Sequence, residues 1–382
     1  MQGYVDRNKL AGLITMVARR GNAVYLERFG MMDLEAAKPM EFDTIFRIYS
    51  MTKPITTVAL MMLYEEGLFQ LNDPVSKFIP EFADVKVFSG TTEEGFELDE
   101  LEREITIWHL LTHTAGLGYG FAEDSPVESM YREAGMFEGP LYLLQVPLQE
   151  MIRRLVRLPL IYQPGTAWRY SVATDVLGYL VEVISEMPLD AFLEESIFKP
   201  LGMEDTGFYV PEAKLGRFAA MYGPAENGSV TLLDAPATSP FSKPTVCLSG
   251  GMGLVSTASD YMRFCQMLLN RGELDGTRLL GRKTVELMTI NHLPDELIPI
   301  RVQPHTLHGC GFGLGFRVLV DVTQAGRLAS EGEFGWGGYA STSFFVDPKE
   351  RLTGLLLTQL APSRYYPIRE EFKVLVYQAL VD

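Results

Sequence analysis

The chain carries strand signals at its two ends and helix signals between them, and this order restricts the fold more than any other feature. Leu13–Ala18 and Ala23–Phe29 are strand-like runs joined by an Arg-Gly-Asn turn, the pattern of a hairpin. Near the other end, Ser343–Val346 and Leu352–Thr358 flank Asp347-Pro348-Lys349-Glu350, a second hairpin. Ile55–Glu66 reads as a strongly apolar helix ended by Gly67. In the middle, Thr106–Leu111, Leu148–Leu158 and Thr174–Ser185 have helical periodicity, with Gly- and Pro-rich loops such as Gly116–Gly120 and Ser239–Pro244 between them. Pro367–Leu380 closes the chain as an amphipathic helix, with Phe372, Leu375, Val376 and Ala379 on one side. Elements in this order predict an α+β fold: an antiparallel sheet flanked by helices plus a mainly helical lobe. The expected division puts residues 1–75 and 245–382 in the sheet lobe and 76–244 in the helical lobe, with an active site at the junction.

Composition narrows the function. The 382 residues are 47% hydrophobic and 21% charged, enough for a sizeable core. A net charge of −16 without any Lys/Arg run argues against nucleic-acid binding. The longest apolar stretch, Val58–Leu63, is too short to span a bilayer. The N-terminal segment shows no basic region followed by an apolar one, so a cytoplasmic location is expected. Cys247, Cys265 and Cys310 are far apart and form no C-x-x-C, which suggests buried, idle thiols rather than a disulfide framework or zinc site. His109 and His113 are spaced i, i+4, but no Glu follows His109, so the zincin pattern is absent. Both read as structural, His113 holding a loop beneath the site; His305 and His308 read as solvated loop residues. Neither a metal nor an organic cofactor is expected.

A serine nucleophile needs a base within hydrogen-bond reach. No serine here has glycine two residues before it, which disfavours the G-x-S-x-G elbow. The alternative is S-x-x-K at the start of a helix, where residues i and i+3 share a face. Two stretches match: Ser50-Met51-Thr52-Lys53 and Ser196-Ile197-Phe198-Lys199. Pro54 fits only near a helix N-terminus, which places Ser50 at the head of the apolar helix. Ser196 instead precedes Pro200-Leu201-Gly202, a helix stop, where Lys199 reads as a last-turn cation.

The segment Phe46-Arg47-Ile48-Tyr49-Ser50-Met51-Thr52-Lys53-Pro54 resembles the nucleophile segment of the serine β-lactamase and penicillin-binding-protein superfamily. Leu110–Leu117, Tyr170-Ser171-Val172 and Gly250–Thr257 resemble three further segments of that family, in the same order. Where class C β-lactamases carry Lys-Thr-Gly and related peptidases His-x-Gly, this chain has Trp336-Gly337-Gly338. With Tyr170-Ser171-Val172, that pattern resembles the family VIII carboxylesterases.

The resemblance implies a β-lactamase/transpeptidase-like fold and a serine carboxylesterase acting on short- to medium-chain acyl esters. Ser50 would be acylated, and Lys53 and Tyr170 would form the base system. The backbone N–H groups of Ser50 and Tyr339 would hold the oxyanion, and no cofactor would take part. Trp336, Gly337, Gly338, Val172 and Tyr119 would contact substrate, and Tyr119, Phe121 and Tyr131 would wall the acyl pocket. Trp336 offers one N–H donor and an apolar face, and Val172 stands where the family has Asn, so neutral, modestly apolar esters are expected. The partner would be a small-molecule ester, with neither nucleic acid nor membrane, and the oligomeric state is left open. A β-lactamase, a D-amino-acid peptidase or an acyltransferase on the same scaffold is the alternative; a non-catalytic binding module is disfavoured by intact Ser50, Lys53 and Tyr170. Loops around residues 84–104 and 118–147 are expected to shape the pocket.

Overall fold

The two terminal hairpins are joined edge to edge into one sheet. A computed structural model describes residues 1–93, 95–136 and 146–382, so the part of the expected pocket loop at 137–145 lies outside the described residues. The sheet has eight antiparallel strands. Its order in space is Cys310–Phe312, Arg317–Leu319, Phe334–Gly337, Ser343–Asp347, Leu352–Thr358, Gly12–Arg19, Asn22–Asp33 and Lys38–Pro39. The seam between the chain's two ends pairs Leu13 with Thr358 and Arg19 with Leu352. The first hairpin turns through Arg20 and Gly21, both at positive φ, as a two-residue turn between right-twisted strands requires.

All seven residues of Leu352–Thr358 are buried, so this strand is covered on both faces. Alternation sorts its neighbours. Ile14, Ala18, Phe344, Val346, Leu355 and Leu357 enter the main core. Leu13, Val17, Phe345, Leu352 and Leu356 enter a smaller core under the C-terminal helix Ile368–Tyr377. The main-core face is covered by Ala258–Leu269, a helix absent from the sequence reading. There Tyr261 packs on Phe344 with ring centroids 5.2 Å apart, and Gln266 Nε2 donates to Thr353 Oγ1 at 2.7 Å. Its start signal was present: the Thr257 side chain caps the Asp260 N–H.

The C-terminal helix is turned differently from expectation. Its buried face is Ile368, Phe372, Val376 and Tyr377, while Leu375 is 48% exposed and Ala379 is exposed. Polar anchoring fixes the rotation. Tyr377 donates to Asp347 at 2.8 Å and to Glu333 at 3.0 Å, and Lys373 donates to Glu333 at 2.5 Å. These buried acceptors draw the Lys373–Tyr377 edge inward and roll Leu375 out to solvent.

The middle section is not helical throughout. It contains Val87–Thr92 paired with Gly95–Asp99, and Met221–Pro224 paired with Val230–Asp234. The second hairpin docks on the sheet lobe through Tyr222, whose N–H donates to Gln359 O at 2.9 Å. Among the described residues no helix is long and apolar enough to cross a membrane.

The helix that matters most is Thr52–Glu65, buried continuously from Thr52 to Met61. A helix apolar on all sides belongs inside a core. It ends in a Schellman motif: Leu68 N–H bonds Leu63 O at 3.3 Å, Gly67 N–H bonds Tyr64 O at 3.0 Å, and Gly67 has φ +76°.

Candidate active site

Strand Phe46–Arg47 feeds a single tight turn, Tyr49–Met51, that continues into helix Thr52–Glu65. Tyr49 sits at φ +45°, a region that disfavours a bulky side chain and costs about 1–3 kcal/mol. Packing holds it there: the Tyr49 ring makes edge contacts with Phe241 and Tyr339 at 5.9 and 5.5 Å. Below the turn, buried Arg47 pairs with Asp234 at 2.5 Å and donates to Ala219 O at 2.6 Å. The turn therefore presents Ser50, half-buried, to a cavity of about 410 Å³.

Three side chains meet at Ser50. Tyr170, from the loop before helix Ala173–Ser185, donates its hydroxyl to Ser50 Oγ at 2.6 Å. Lys53, fully buried one turn along the nucleophile helix, places Nζ 4.7 Å from the Tyr170 ring centre. Lys53 Nζ donates to Gly251 O at 2.8 Å and to Tyr119 Oη at 3.3 Å. Tyr119 stacks on Tyr170 at 5.3 Å. Burial, with Tyr170 and Asp175 nearby, raises the Tyr119 phenol well above its ordinary range and keeps it protonated.

Two supporting groups were not foreseen. Asp175 is buried beside Lys53, where it accepts from Ser249 Oγ at 2.5 Å and from Gly251 N–H at 3.1 Å. Burial raises its carboxyl despite the opposing pull of Lys53. Glu128 is buried and accepts from Arg169 Nε at 2.9 Å and from Tyr119 N–H at 3.3 Å, so it ties the Tyr119 loop to the residue before Tyr170. Asp175 lies on the inward face of a helix that pattern alone finds, but only the fold shows which loop it meets.

The third motif closes the cavity. Trp336, on strand Phe334–Gly337, packs against Tyr170 at 5.4 Å and Phe312 at 5.4 Å. Gly338 passes so close to the nucleophile turn that a Cβ there would lie 2.3 Å from Ile48 O. Tyr339 follows directly and lines the cavity with Gly337 and Gly338. Tyr119 and Phe121 also line it.

Other expected contacts fall elsewhere. Val172 is fully buried behind the site, its N–H bonded to Gly118 O at 3.0 Å, and is not on the cavity wall. It sits there because it heads helix Ala173–Ser185, with its side chain in the main core. Tyr131 is likewise buried and braces the loop by accepting Gly118 N–H at 3.1 Å. His305 is exposed but belongs to a small hairpin at the cavity edge.

His109 completes a capping box with Thr106, and burial lowers its pKa to about 4. His113 is buried, shares a hydrogen bond with Ser171 Oγ at 3.1 Å and packs on Tyr170. Burial, then Lys53, pushes His113 well below its usual range, so it supports the Tyr170 loop as a neutral ring. Ser196 and Lys199 lie on a surface helix, where Lys199 pairs with Glu194 at 3.6 Å. The three cysteines are free and buried.

The cavity wall at Gly337 is not neutral. Arg369, from the start of the C-terminal helix, lies against Gly337 and donates to Gly338 O at 2.5 Å. Position 336 lacks the Lys or His of the related motifs, yet a cation from a different element reaches the same strand.

A serine at the head of a buried helix, with a tyrosine on its hydroxyl and a lysine one turn on, defines a serine hydrolase of the acyl-enzyme type. The Beta-lactamase family profile matches residues 1–378, and the chain belongs to that family. Within it, the chain is 34% identical to Esterase EstB of Burkholderia gladioli over 370 residues, which is 92% of this chain and 87% of EstB. Among solved structures it resembles EstCE1, described as a hydrolase with promiscuous acyltransferase activity, at TM-score 0.82 and 28% identity. That match covers 98% of this chain and 96% of EstCE1. It also resembles unliganded simvastatin synthase LovD of Aspergillus terreus at TM-score 0.84 and 26% identity, covering 100% and 97% of the two chains. These esterase-type relatives agree with the family VIII resemblance.

Proposed function

We propose that the protein is a serine carboxylesterase that passes acyl groups from esters to water, or to a second alcohol, through Ser50. The observation that carries this reading is the 2.6 Å contact between the Tyr170 hydroxyl and Ser50 Oγ, with Lys53 Nζ 4.7 Å from the Tyr170 ring centre.

In the proposed reaction, Ser50 Oγ attacks the ester carbonyl while its proton passes to the Tyr170 oxygen. For this step Tyr170 reacts as its phenolate, having first released its own proton to solvent, and Lys53, held by Gly251 O, offsets that negative charge until the serine proton arrives. The carbonyl oxygen becomes an oxyanion between the N–H groups of Ser50 and Tyr339. Collapse breaks the ester C–O bond, and Tyr170 returns its proton to the leaving alcohol. Water or another alcohol then attacks the acyl-Ser50 ester by the reverse path, which regenerates the serine. The aromatic wall of Tyr119, Phe121 and Trp336 favours an apolar acyl group or alcohol over water, and this supports acyl transfer beside hydrolysis.

The test is turnover of p-nitrophenyl butyrate and nitrocefin, side by side, by wild type and Ser50→Ala. Butyrate turnover that is lost in Ser50→Ala, with nitrocefin slow, is expected. Dominant nitrocefin turnover would instead make the protein a β-lactamase. Butyrate turnover that survives in Ser50→Ala would remove Ser50 from its role.

A further inference from the structure

We infer that Arg369 is a positioning residue for the oxyanion hole: it binds the carbonyl end of the peptide whose N–H end receives the oxyanion. This deepens the esterase reading above and rests on it, because Ser50 and Tyr339 are taken as the two donors.

Gly338 C=O and Tyr339 N–H belong to one peptide group. Arg369 Nη2 donates to Gly338 O at 2.5 Å, so a cation sits on one end of that group while the other end is the proposed donor. A peptide is a resonance system, in which charge drawn toward the oxygen leaves the N–H more positive. A charge-assisted bond at the oxygen therefore strengthens the hydrogen bond that the nitrogen gives. The same contact fixes the plane of the peptide, and with it the direction of the N–H.

The strand is built for the contact. A Cβ at Gly337 would lie 2.8 Å from Arg369 Cζ and 3.0 Å from its Nη2, so glycine leaves room for the guanidinium against the main chain. A Cβ at Gly338 would lie 2.3 Å from Ile48 O, two residues before Ser50. The two glycines of Trp336-Gly337-Gly338 thus have separate tasks. One admits the cation, and the other seats the donor peptide beside the nucleophile turn. Gly338 N–H, on the adjoining peptide, donates to Thr342 O at 2.9 Å, so the Gly338 main chain is held from both sides.

Stability does not account for this arginine. Burial, then the nearby Arg364, lowers its pKa to about 9, below the unfolded value, so the charged form weighs against folding. That cost is full at pH 7 and is relieved only as pH rises through the folded pKa. A cation kept at such a cost beside the nucleophile marks a working part of the site.

The test compares Arg369→Met with Arg327→Met. The second variant removes an equal charge from the same cavity, but its guanidinium bonds Cys310 Sγ rather than the donor peptide. Butaneboronic acid adds to a nucleophilic serine as a tetrahedral anion and so reports the oxyanion hole, whereas butyranilide is a neutral analogue of the bound ester. One such donor is worth about 10²- to 10³-fold and polarisation alters a hydrogen bond by about 10–30%, so Arg369→Met is expected to lower kcat/KM for p-nitrophenyl butyrate about 2- to 8-fold. The Ki of the boronate is expected to rise by the same factor, with the Ki of butyranilide unchanged and Tm at or above the wild-type value. Arg327→Met is expected to move the boronate Ki less. Equal shifts in the two variants would mean a field across the cavity rather than a bond to the peptide, and would overturn the inference. A boronate Ki that stays at the wild-type value in Arg369→Met, or rises only in step with that of butyranilide, would also overturn it.

Should no ester turn over while the boronate still binds, the esterase reading fails by itself and the comparison of Ki values decides the role of Arg369. A wild type that does not bind the boronate lacks an oxyanion hole at Ser50, and the inference falls with it.

Discussion

Asp175→Asn separates chemistry from folding. The Asp175 carboxylate accepts from Ser249 Oγ and Gly251 N–H through Oδ1, while its buried Oδ2 has no hydrogen-bond partner among the described residues. Gly251 in turn accepts from Lys53 Nζ. Asp175 thus positions Lys53 through one peptide. The Asn variant keeps the shape and the accepting oxygen but makes both hydrogen bonds neutral. A charged hydrogen bond exceeds a neutral one by about 1 kcal/mol, so two bonds lose about 2 kcal/mol of hold on the loop. If that slack is felt at Lys53, kcat falls about 10- to 30-fold with KM little changed.

Stability moves the other way. Burial raises the Asp175 pKa above its unfolded value, so the ionised form weighs against folding. The penalty is absent below the unfolded pKa, grows as pH rises and is complete above the folded pKa. A neutral Asn escapes it, and at pH 7 the variant is expected to melt at or above the wild-type temperature. The assay is p-nitrophenyl butyrate kinetics paired with thermal melts at pH 7 and at acid pH, where the difference in Tm narrows. Wild-type kcat, or a fall in Tm that tracks the fall in kcat, would refute the argument.

Tyr170→Phe keeps the ring packed against Tyr119 and Trp336 but removes the hydroxyl on Ser50, so kcat/KM is expected to drop about 10²- to 10⁴-fold with an unchanged melt. Glu333→Gln leaves Arg317 and Lys373 without their buried counter-charge and is expected to cost about 3–5 kcal/mol by urea unfolding. Burial pushes the Glu333 carboxyl up, but Lys373, Arg317 and Arg327 outweigh it and hold the pKa at about 2. Its contribution is therefore full above the unfolded carboxyl range and is lost as pH falls toward 2, so wild type and variant should converge in acid. Phe372→Ala is expected to cost about 3–5 kcal/mol, whereas Leu375→Glu, on the exposed side of the same helix, should leave the melt nearly unchanged; the reverse order would restore the rotation expected from sequence.

What could be read from sequence follows from the range of the forces involved. The two hairpins and the helix at Ser50 were legible because period-2 alternation, turn residues and Pro54 act over a few neighbours. Ser50, Lys53 and Tyr170 were legible because their segments resemble known ones. The orientation of Leu375 was not, because Glu333 and Asp347, which fix the helix rotation through Lys373 and Tyr377, lie far away in sequence. Helix Ala258–Leu269 was missed although Thr257 signals its start, since returning strand signals dominated the segment. The cationic wall was illegible for the first reason again. Arg317, Arg327 and Arg369 are unremarkable in sequence, and only the tertiary fold, which sets a strand, a loop and the C-terminal helix side by side, brings them to one cavity.

The site depends on main-chain contact more than on side-chain reach. A Cβ at Gly338 would sit 2.3 Å from Ile48 O, and one at Gly251 would sit 2.5 Å from Asp175 Oδ2. Those contacts set Gly338, next to the proposed oxyanion donor Tyr339, against the nucleophile turn, and the loop that holds Lys53 against Asp175. Close approach at Gly338 and Gly251 leaves few soft torsions between Ser50, Lys53 and Tyr339, so their spacing is preorganised as charge stabilisation in a transition state requires. The groups that face substrate differ in kind. Phe121, His305, Arg364 and Arg369 project from loops, a small hairpin and a helix start around that fixed centre. A rigid acylating core within an adjustable rim lets one scaffold change its ester, its acyl acceptor or its taste for charge without disturbing the reaction at Ser50.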